Sequence, residues 1–153
     1  MTGIITPPND PALSAGDLAP ADAGYSRLVQ RLRRRYADVL PMLPPGPPVR
    51  DTMEQALTRL RERLGELGAA LRVLRQLVME RLVVLDCEQQ APLEVVTRAV
   101  TELAELALDH ACEEAQAQLD LQYGAPMTEQ GRRAELWVIG MGKLGARELN
   151  VSS

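Results

Sequence analysis

The chain of 153 residues contains no phenylalanine, one tryptophan and three tyrosines, so it is poor in the aromatic side chains that are enriched in strands. Two cysteines and one histidine are too few for a disulfide framework or a Cys/His zinc site. Its N-terminus has no basic n-region or long apolar stretch of the kind found in signal peptides, and no later apolar run approaches membrane-spanning length. We therefore expect a mainly helical protein of the reducing cytoplasm, neither secreted nor membrane-embedded.

The net charge and the composition limit the functional class of the protein and its number of domains. A net charge of −4 argues against a general nucleic-acid binder, which needs a basic face to neutralise phosphates. With 46% hydrophobic and 25% charged residues, the chain has the composition of a globular domain. Its 153 residues are enough for one core, or for one domain and the beginning of a second.

Three segments show helical patterns after a tail, residues 1–22, whose proline, glycine and small residues predict mobility. The first helix is predicted over residues 25–40 and is followed by an extended proline-rich connector at 41–48. The second has an unbroken apolar seam over residues 53–78, after a capping box formed by Asp51 and Glu54. The third runs from Pro92 to about Tyr123, where Gly124 ends it.

The seam at 53–78 is unbroken over about 40 Å of helix, at a rise of 1.5 Å per residue. We expect it to form the core of an intramolecular bundle rather than a dimeric coiled coil, because neighbouring helices also need an apolar partner. Gly65 and Gly68 indicate a bend, a break or a close helix contact, and the sequence does not distinguish these three.

After the third predicted helix the sequence pattern is no longer helical. Residues 127–134 are polar and turn-like, and the four apolar residues at 136–139 predict a strand in the middle of a covered sheet. A single strand needs partners, so we expect them beyond Ser153, in a longer protein of which this chain is the front part.

A glycine-rich turn follows this predicted strand. Gly140, Gly142 and Gly145 leave backbone N–H groups open to phosphate oxygens. Their G-x-G-x-x-G spacing matches the dinucleotide-binding fingerprint, but only about two helical turns follow it. A Walker A loop is excluded because Lys143 is followed by Leu144 rather than by Ser or Thr. An ordinary strand-exit turn remains an alternative.

The segment 138–153, V-I-G-M-G-K-L-G-A-R-E-L-N-V-S-S, resembles the signature G-x-G-K-L-G-G-x-E-L-x-x-S-S-D-x-D of the glutamine synthetase adenylyltransferase/adenylyl-removing enzymes. One departure is Ala146, where the family usually has glycine. Residues 71–81 and 103–124 resemble two helices of the family more weakly. The family's signature occurs twice per polypeptide. A copy about 140 residues after Met1 resembles the one in the N-terminal, adenylyl-removing half.

The resemblance implies a helical bundle region at 23–126, leading at 127–153 into the first strand and glycine-rich turn of a polymerase-beta-like nucleotidyltransferase domain, α+β in the parent protein. It also implies a set of nucleotide- or phosphate-binding residues. These are Gly140, Gly142, Lys143, Gly145, Ser152 and Ser153.

The resemblance further implies a magnesium-dependent reaction in which inorganic phosphate attacks the AMP–tyrosine bond on glutamine synthetase and releases ADP, while the other half transfers AMP from ATP. The aspartates that would hold magnesium are expected beyond Ser153, so the chain should contain no catalytic or metal-binding residue and should be inactive alone. Expected partners are glutamine synthetase, the PII signalling protein, nucleotide and phosphate.

Two other functions remain open from the sequence. One is a non-catalytic helical module that binds glutamine synthetase or PII, and the other is an NAD-binding oxidoreductase fragment. The long helix and acidic residue that the second requires would lie in the continuation of the chain.

Several single residues have competing interpretations. Lys143 either neutralises a phosphate or lies in solvent. His110 is expected to be packed and hydrogen-bonded, and Cys87 and Cys112 to be buried or partly buried thiols. Four arginines of the first predicted helix are expected to form a solvated helix face, with a docking surface for an acidic partner as the alternative. These are Arg31, Arg33, Arg34 and Arg35.

Overall fold

The computed structural model describes residues 22–151, so all but the last residue of the tail predicted at 1–22, and both Ser152 and Ser153, lie outside the described residues. Within that range the protein is helical, as predicted. The helices are α1 (Arg27–Arg35), α2 (Arg50–Leu64), α3 (Leu67–Val83), α4 (Leu93–Tyr123) and the one-turn α5 (Gly142–Gly145). Short 3-10 turns at Ala23–Tyr25 and Leu40–Met42, and a π-helical turn at Val84–Glu88, connect them. No helix in residues 22–151 is long and apolar enough to cross a membrane.

Helix α1 is shorter than predicted. Ser26 caps its start by accepting a hydrogen bond from the Val29 N–H at 3.4 Å. The helix ends at Arg35 instead of residue 40, because Tyr36 leaves the helical region (φ −116°, ψ 22°) while its N–H still donates to the Leu32 carbonyl. The connector is extended only in part, because Leu40–Met42 forms a 3-10 turn and Leu43 is buried in the core.

The seam at 53–78 does not lie on one helix, because α2 ends at Leu64 and α3 begins at Leu67. Gly65 adopts the left-handed conformation (φ 79°), and its N–H donates to the Arg61 carbonyl at 2.8 Å to close α2. Of the three alternatives left open for the glycines, the structure thus selects a break. The apolar seam continues on α3, which packs against α2.

The start of α2 also differs from the prediction. Val49 precedes the first helical residue, and its N–H donates to the Thr52 hydroxyl at 3.1 Å. The predicted capping box of Asp51 and Glu54 is therefore wrong: Asp51 lies in the first turn, where a negative charge is favourable, and Glu54 contacts another helix.

Helices α2, α3 and α4 share one core, as expected for an intramolecular bundle. Helix α4 follows its prediction closely, from Pro92 at the N-cap to Gly124 at the C-cap. Only its first half is buried, since none of its residues beyond Leu106 is. The side chains exposed by 2% or less in this core are Leu43, Met53, Ala56, Leu57, Leu60, Ala70, Leu74, Leu77, Val78, Leu82, Leu85, Ala99 and Leu106.

The predicted strand at 136–139 is not formed. Among residues 22–151 the only β-type pairing is an isolated bridge between Met127 and Arg133, inside the turn predicted at 127–134. Side chains 136–139 are 54–82% exposed. A strand needs hydrogen-bonding partners for its backbone, and no described segment pairs with this one.

Candidate phosphate-binding loop

The glycine-rich residues form a compact turn around α5. The Ala146 N–H donates to the Gly142 carbonyl at 2.9 Å, and the Glu148 N–H donates to the Lys143 carbonyl at 2.8 Å. These bonds fold residues 140–148 into one unit that brings together the predicted glycines and Lys143. Helix α5 ends after one turn, so the described residues lack the long helix of a dinucleotide-binding unit.

Two of the glycines are required by the geometry of this turn. A Cβ atom on Gly145 would lie 2.5 Å from the carbonyl oxygen of Gly140, closer than atoms can approach. Gly142 has a φ of 56°, in the left-handed region that favours glycine. Ala146 has ordinary right-handed angles (φ −79°, ψ −6°), so the departure from the family signature imposes no backbone strain here.

The loop is attached to the bundle just after α5. Arg147 has a left-handed φ of 60°, and its Nη2 donates to the Glu105 carboxylate on α4 at 3.1 Å. Leu149 packs against the edge of the core. The contacts compensate a left-handed conformation that costs a non-glycine residue about 1 kcal/mol.

The charges around the loop differ on its two sides. A cavity of about 340 Å³ separates the loop from α4, and its lining includes Gly140 and Gly145 together with Glu105, Asp109 and Arg147. Asp109 accepts a hydrogen bond from Arg50 Nη2 at 2.6 Å, and this bond is the main cause that raises the pKa of the Arg50 guanidinium. Glu105 and Asp109 are each paired with an arginine, so no unpaired cation attracts an anion on the α4 side, whereas Lys143 is exposed and forms no ion pair within residues 22–151.

The described residues do not fit a magnesium site. Residues 22–151 contain no group of three or more His, Cys, Asp or Glu side chains arranged to hold a metal ion. Glu105 and Asp109, the carboxylates that line the cavity beside the loop, each form an ion pair with an arginine. No step involving a metal ion can be built on these residues.

Other predicted residues have structural roles. His110 Nε2 lies 2.7 Å from Glu54 Oε1, which joins α4 to α2 and confirms a packed, hydrogen-bonded histidine. Cys87 and Cys112 are free and half-buried, as predicted. Arg33 is not simply solvated as predicted, because its Nε donates at 2.7 Å to Glu80, whose side chain is only 6% exposed.

Sequence reasoning missed an apolar groove beside the loop. It has a volume of about 300 Å³ and lies between α3 and α4, with residues 149–151 at one side. Leu71 and Met79 line its α3 wall, and Val100 and Leu103 line its α4 wall. The signal in the sequence is that Met79 is apolar although it lies off the four- and three-residue spacing of the seam, to which Leu71 belongs.

Comparison with known proteins identifies the family. The family model for glutamate-ammonia ligase adenylyltransferase matches residues 23–153. Bifunctional glutamine synthetase adenylyltransferase/adenylyl-removing enzymes are among the similar proteins: that of Ralstonia nicotianae is 36% identical over 98% of this chain, and that of Burkholderia mallei is 43% identical over 70%. The chain spans 17% and 10% of the length of these two relatives, respectively. No solved structure matches. The chain belongs to the glutamate-ammonia ligase adenylyltransferase family.

Proposed function

We propose that this chain supplies the helical region and the phosphate-binding turn of a bifunctional enzyme that removes AMP from a tyrosine of glutamine synthetase, and that adds AMP through its other half. The observation that supports this most is the turn at 140–148. Gly142 and Gly145 are required by its backbone geometry. They lie in the segment that resembles the family signature, within the residues that the family model matches.

In this proposal the turn binds the phosphoryl group that is transferred. Backbone N–H groups of a glycine-rich turn approach phosphate oxygens without side-chain obstruction, and Lys143 adds a positive charge. On the α4 side, Glu105 and Asp109 are each paired with an arginine, so no unpaired cation there attracts an anion. We therefore place the phosphate on the outer side of the turn, beside Lys143, with Ser152 and Ser153 as further phosphate contacts that follow in the sequence.

Phosphorolysis by inorganic phosphate, with release of ADP, is the reaction we assign to this half of the enzyme. Magnesium remains a prediction from the family signature, with its aspartate ligands beyond Ser153. The 153 residues alone are accordingly proposed to be inactive. Glutamine synthetase, the PII protein, nucleotide and phosphate are the proposed partners, and the cytoplasm is the proposed location.

The test is deadenylylation of AMP-modified glutamine synthetase with phosphate and magnesium, using this chain and a polypeptide extended through the next domain. We expect ADP release only from the extended polypeptide. Lys143→Ala in it should lower the rate at least tenfold, equivalent to about 1.4 kcal/mol of transition-state stabilisation. Arg98→Ala is the matched control, because Arg98 is an exposed cation on α4 outside the turn.

Two results would contradict the proposal. One is equal activity of the Lys143→Ala and Arg98→Ala variants, which would remove the lysine from the site. The other is an inactive extended polypeptide that still binds glutamine synthetase, which would favour the non-catalytic interaction module.

A further inference from the structure

Helix α1 has an unusual charge for a chain that is acidic overall. Its nine residues, RLVQRLRRR, include five arginines and no acidic residue, although the net charge of the chain is −4. Two of these arginines have partners within the protein. Arg33 pairs with Glu80, and the guanidinium of Arg35 lies 5.5 Å from the ring centroid of Tyr36.

The other three, Arg27, Arg31 and Arg34, form a row on one side of α1. Their spacing of four and three residues places them on one helical face over about 10 Å of axis. All three are exposed, and none makes a salt bridge or a side-chain hydrogen bond with any part of the chain between residues 22 and 151. Together with Gln30 they surround a surface depression of about 440 Å³. We call these three residues the α1 arginine row.

The stability of α1 does not account for the α1 arginine row. Like charges spaced by three or four residues destabilise a helix by a few tenths of a kcal/mol per pair. Arg34 in the last turn is favoured by the helix dipole, but Arg27 is the first helical residue, where a positive charge is unfavourable. Polar residues without charge would expose the same face at lower cost.

We propose that the α1 arginine row is a docking site for an acidic helix of a partner protein, with carboxylates spaced by four and three residues along one face. Guanidinium groups bind carboxylates through two parallel hydrogen bonds, and two helices in contact present matching intervals. Three cations on an acidic chain neutralise too few phosphates to hold a nucleic acid at physiological salt. This inference is independent of the proposed catalytic role of the turn.

The probe is a synthetic 15-residue helical peptide with three glutamates at four- and three-residue spacing, titrated into the ¹⁵N-labelled chain by NMR. A second peptide of the same composition has its glutamates on different faces. We expect the first peptide to shift amide signals of α1 and to bind at least tenfold more tightly than the second. The affinity of the first peptide should fall as the salt concentration rises from about 20 to about 150 mM, because salt screens the attraction between exposed charges.

The variant that tests the site is Arg27→Gln/Arg31→Gln/Arg34→Gln, for which we expect at least a tenfold loss of peptide affinity. Arg59→Gln/Arg98→Gln/Arg132→Gln removes the same charge from other exposed arginines and should bind the peptide within twofold of the parent. Arg27→Lys/Arg31→Lys/Arg34→Lys keeps the charge of the row and loses the paired hydrogen bonds. Its peptide affinity should therefore lie between that of the parent chain and that of the glutamine variant of the row. Circular dichroism of each variant checks that the helices are intact.

Several outcomes would overturn the proposal. Equal affinity for the two peptides would mean that the spacing of the row is not recognised. An equal loss of peptide affinity in the two glutamine variants would mean that binding depends on the overall charge of the chain and not on the α1 arginine row. Tighter binding of a 15-base-pair DNA duplex than of the peptide at 150 mM salt would make the row a phosphate-binding surface instead.

Discussion

At the scale of single residues, the turn at 140–148 depends on the missing side chain of Gly145. We expect Gly145→Ala to open the turn, because its Cβ would lie 2.5 Å from the Gly140 carbonyl oxygen. NMR amide signals of residues 140–148 should move, while the midpoint of thermal unfolding stays within about 3 °C, since the turn lies outside the core. Gly68→Ala is the control, because its Cβ meets only Arg72 Nη1 at an ordinary 3.5 Å. Unmoved signals in the turn would contradict this geometry.

The ion pair of Arg33 with Glu80 gives a second prediction at this scale. Glu80 is nearly buried, so Arg33→Ala leaves its carboxylate without a partner and should lower the free energy of unfolding by about 2 kcal/mol. Arg34→Ala removes a neighbouring exposed arginine and should change it by less than about 0.5 kcal/mol. Urea unfolding followed by circular dichroism measures both variants. Equal effects would mean that water solvates Glu80 in place of Arg33.

At the scale of elements, the break between α2 and α3 can be tested with its two glycines, for which we expect effects of opposite sign. Gly65→Ala forces an alanine to φ 79° and should destabilise the protein by about 1 kcal/mol. Gly68→Ala lies in the first turn of α3 and should stabilise it by roughly 0.5 kcal/mol through better helix propensity. Thermal unfolding measures the stability of the two variants. A stabilised Gly65→Ala variant would contradict the prediction and indicate that α2 and α3 can join into one helix.

The accuracy of the sequence predictions differed between elements for physical reasons. Helix α4 was predicted well because Pro92 and Gly124 fix its two ends and an apolar stripe lies between them. The seam at 53–78 continues across α2 and α3 in the sequence, so periodicity alone could not show that Gly65 ends a helix. The choice between a bend and a break depends on tertiary packing, which a local pattern does not contain.

The turn shows the same division between local and long-range information. Its glycine spacing and its family signature were visible in the sequence, and the structure brings Gly140, Gly142, Gly145 and Lys143 together. The bond from Arg147 to Glu105 joins residues 42 positions apart and could not be read from the pattern. The strand at 136–139 was predicted from apolar composition, whereas strand formation depends on a partner that no described segment supplies.

At the scale of the whole molecule, one apolar surface is left uncovered. The segment 136–141 exposes five large apolar side chains, with Trp137 at 76%, Ile139 at 82% and Met141 at 82%. Contiguous exposed apolar surface with unpaired backbone groups favours association. We therefore expect the 153-residue chain to self-associate at concentrations of about 100 µM, a level at which sedimentation velocity would detect species heavier than 16.8 kDa.

A charge placed in this segment should prevent the association. Ile139→Lys puts an ammonium group at the most exposed of the four apolar residues 136–139, and its burial in an interface would cost several kcal/mol unless it were paired. Leu93→Lys is the matched control, because Leu93 is 69% exposed at the start of α4. We expect Ile139→Lys to sediment as a monomer and Leu93→Lys to behave as the parent chain does. If both variants associate equally, the contact lies elsewhere, and if the parent chain is monomeric at 100 µM, segment 136–141 is not an association surface.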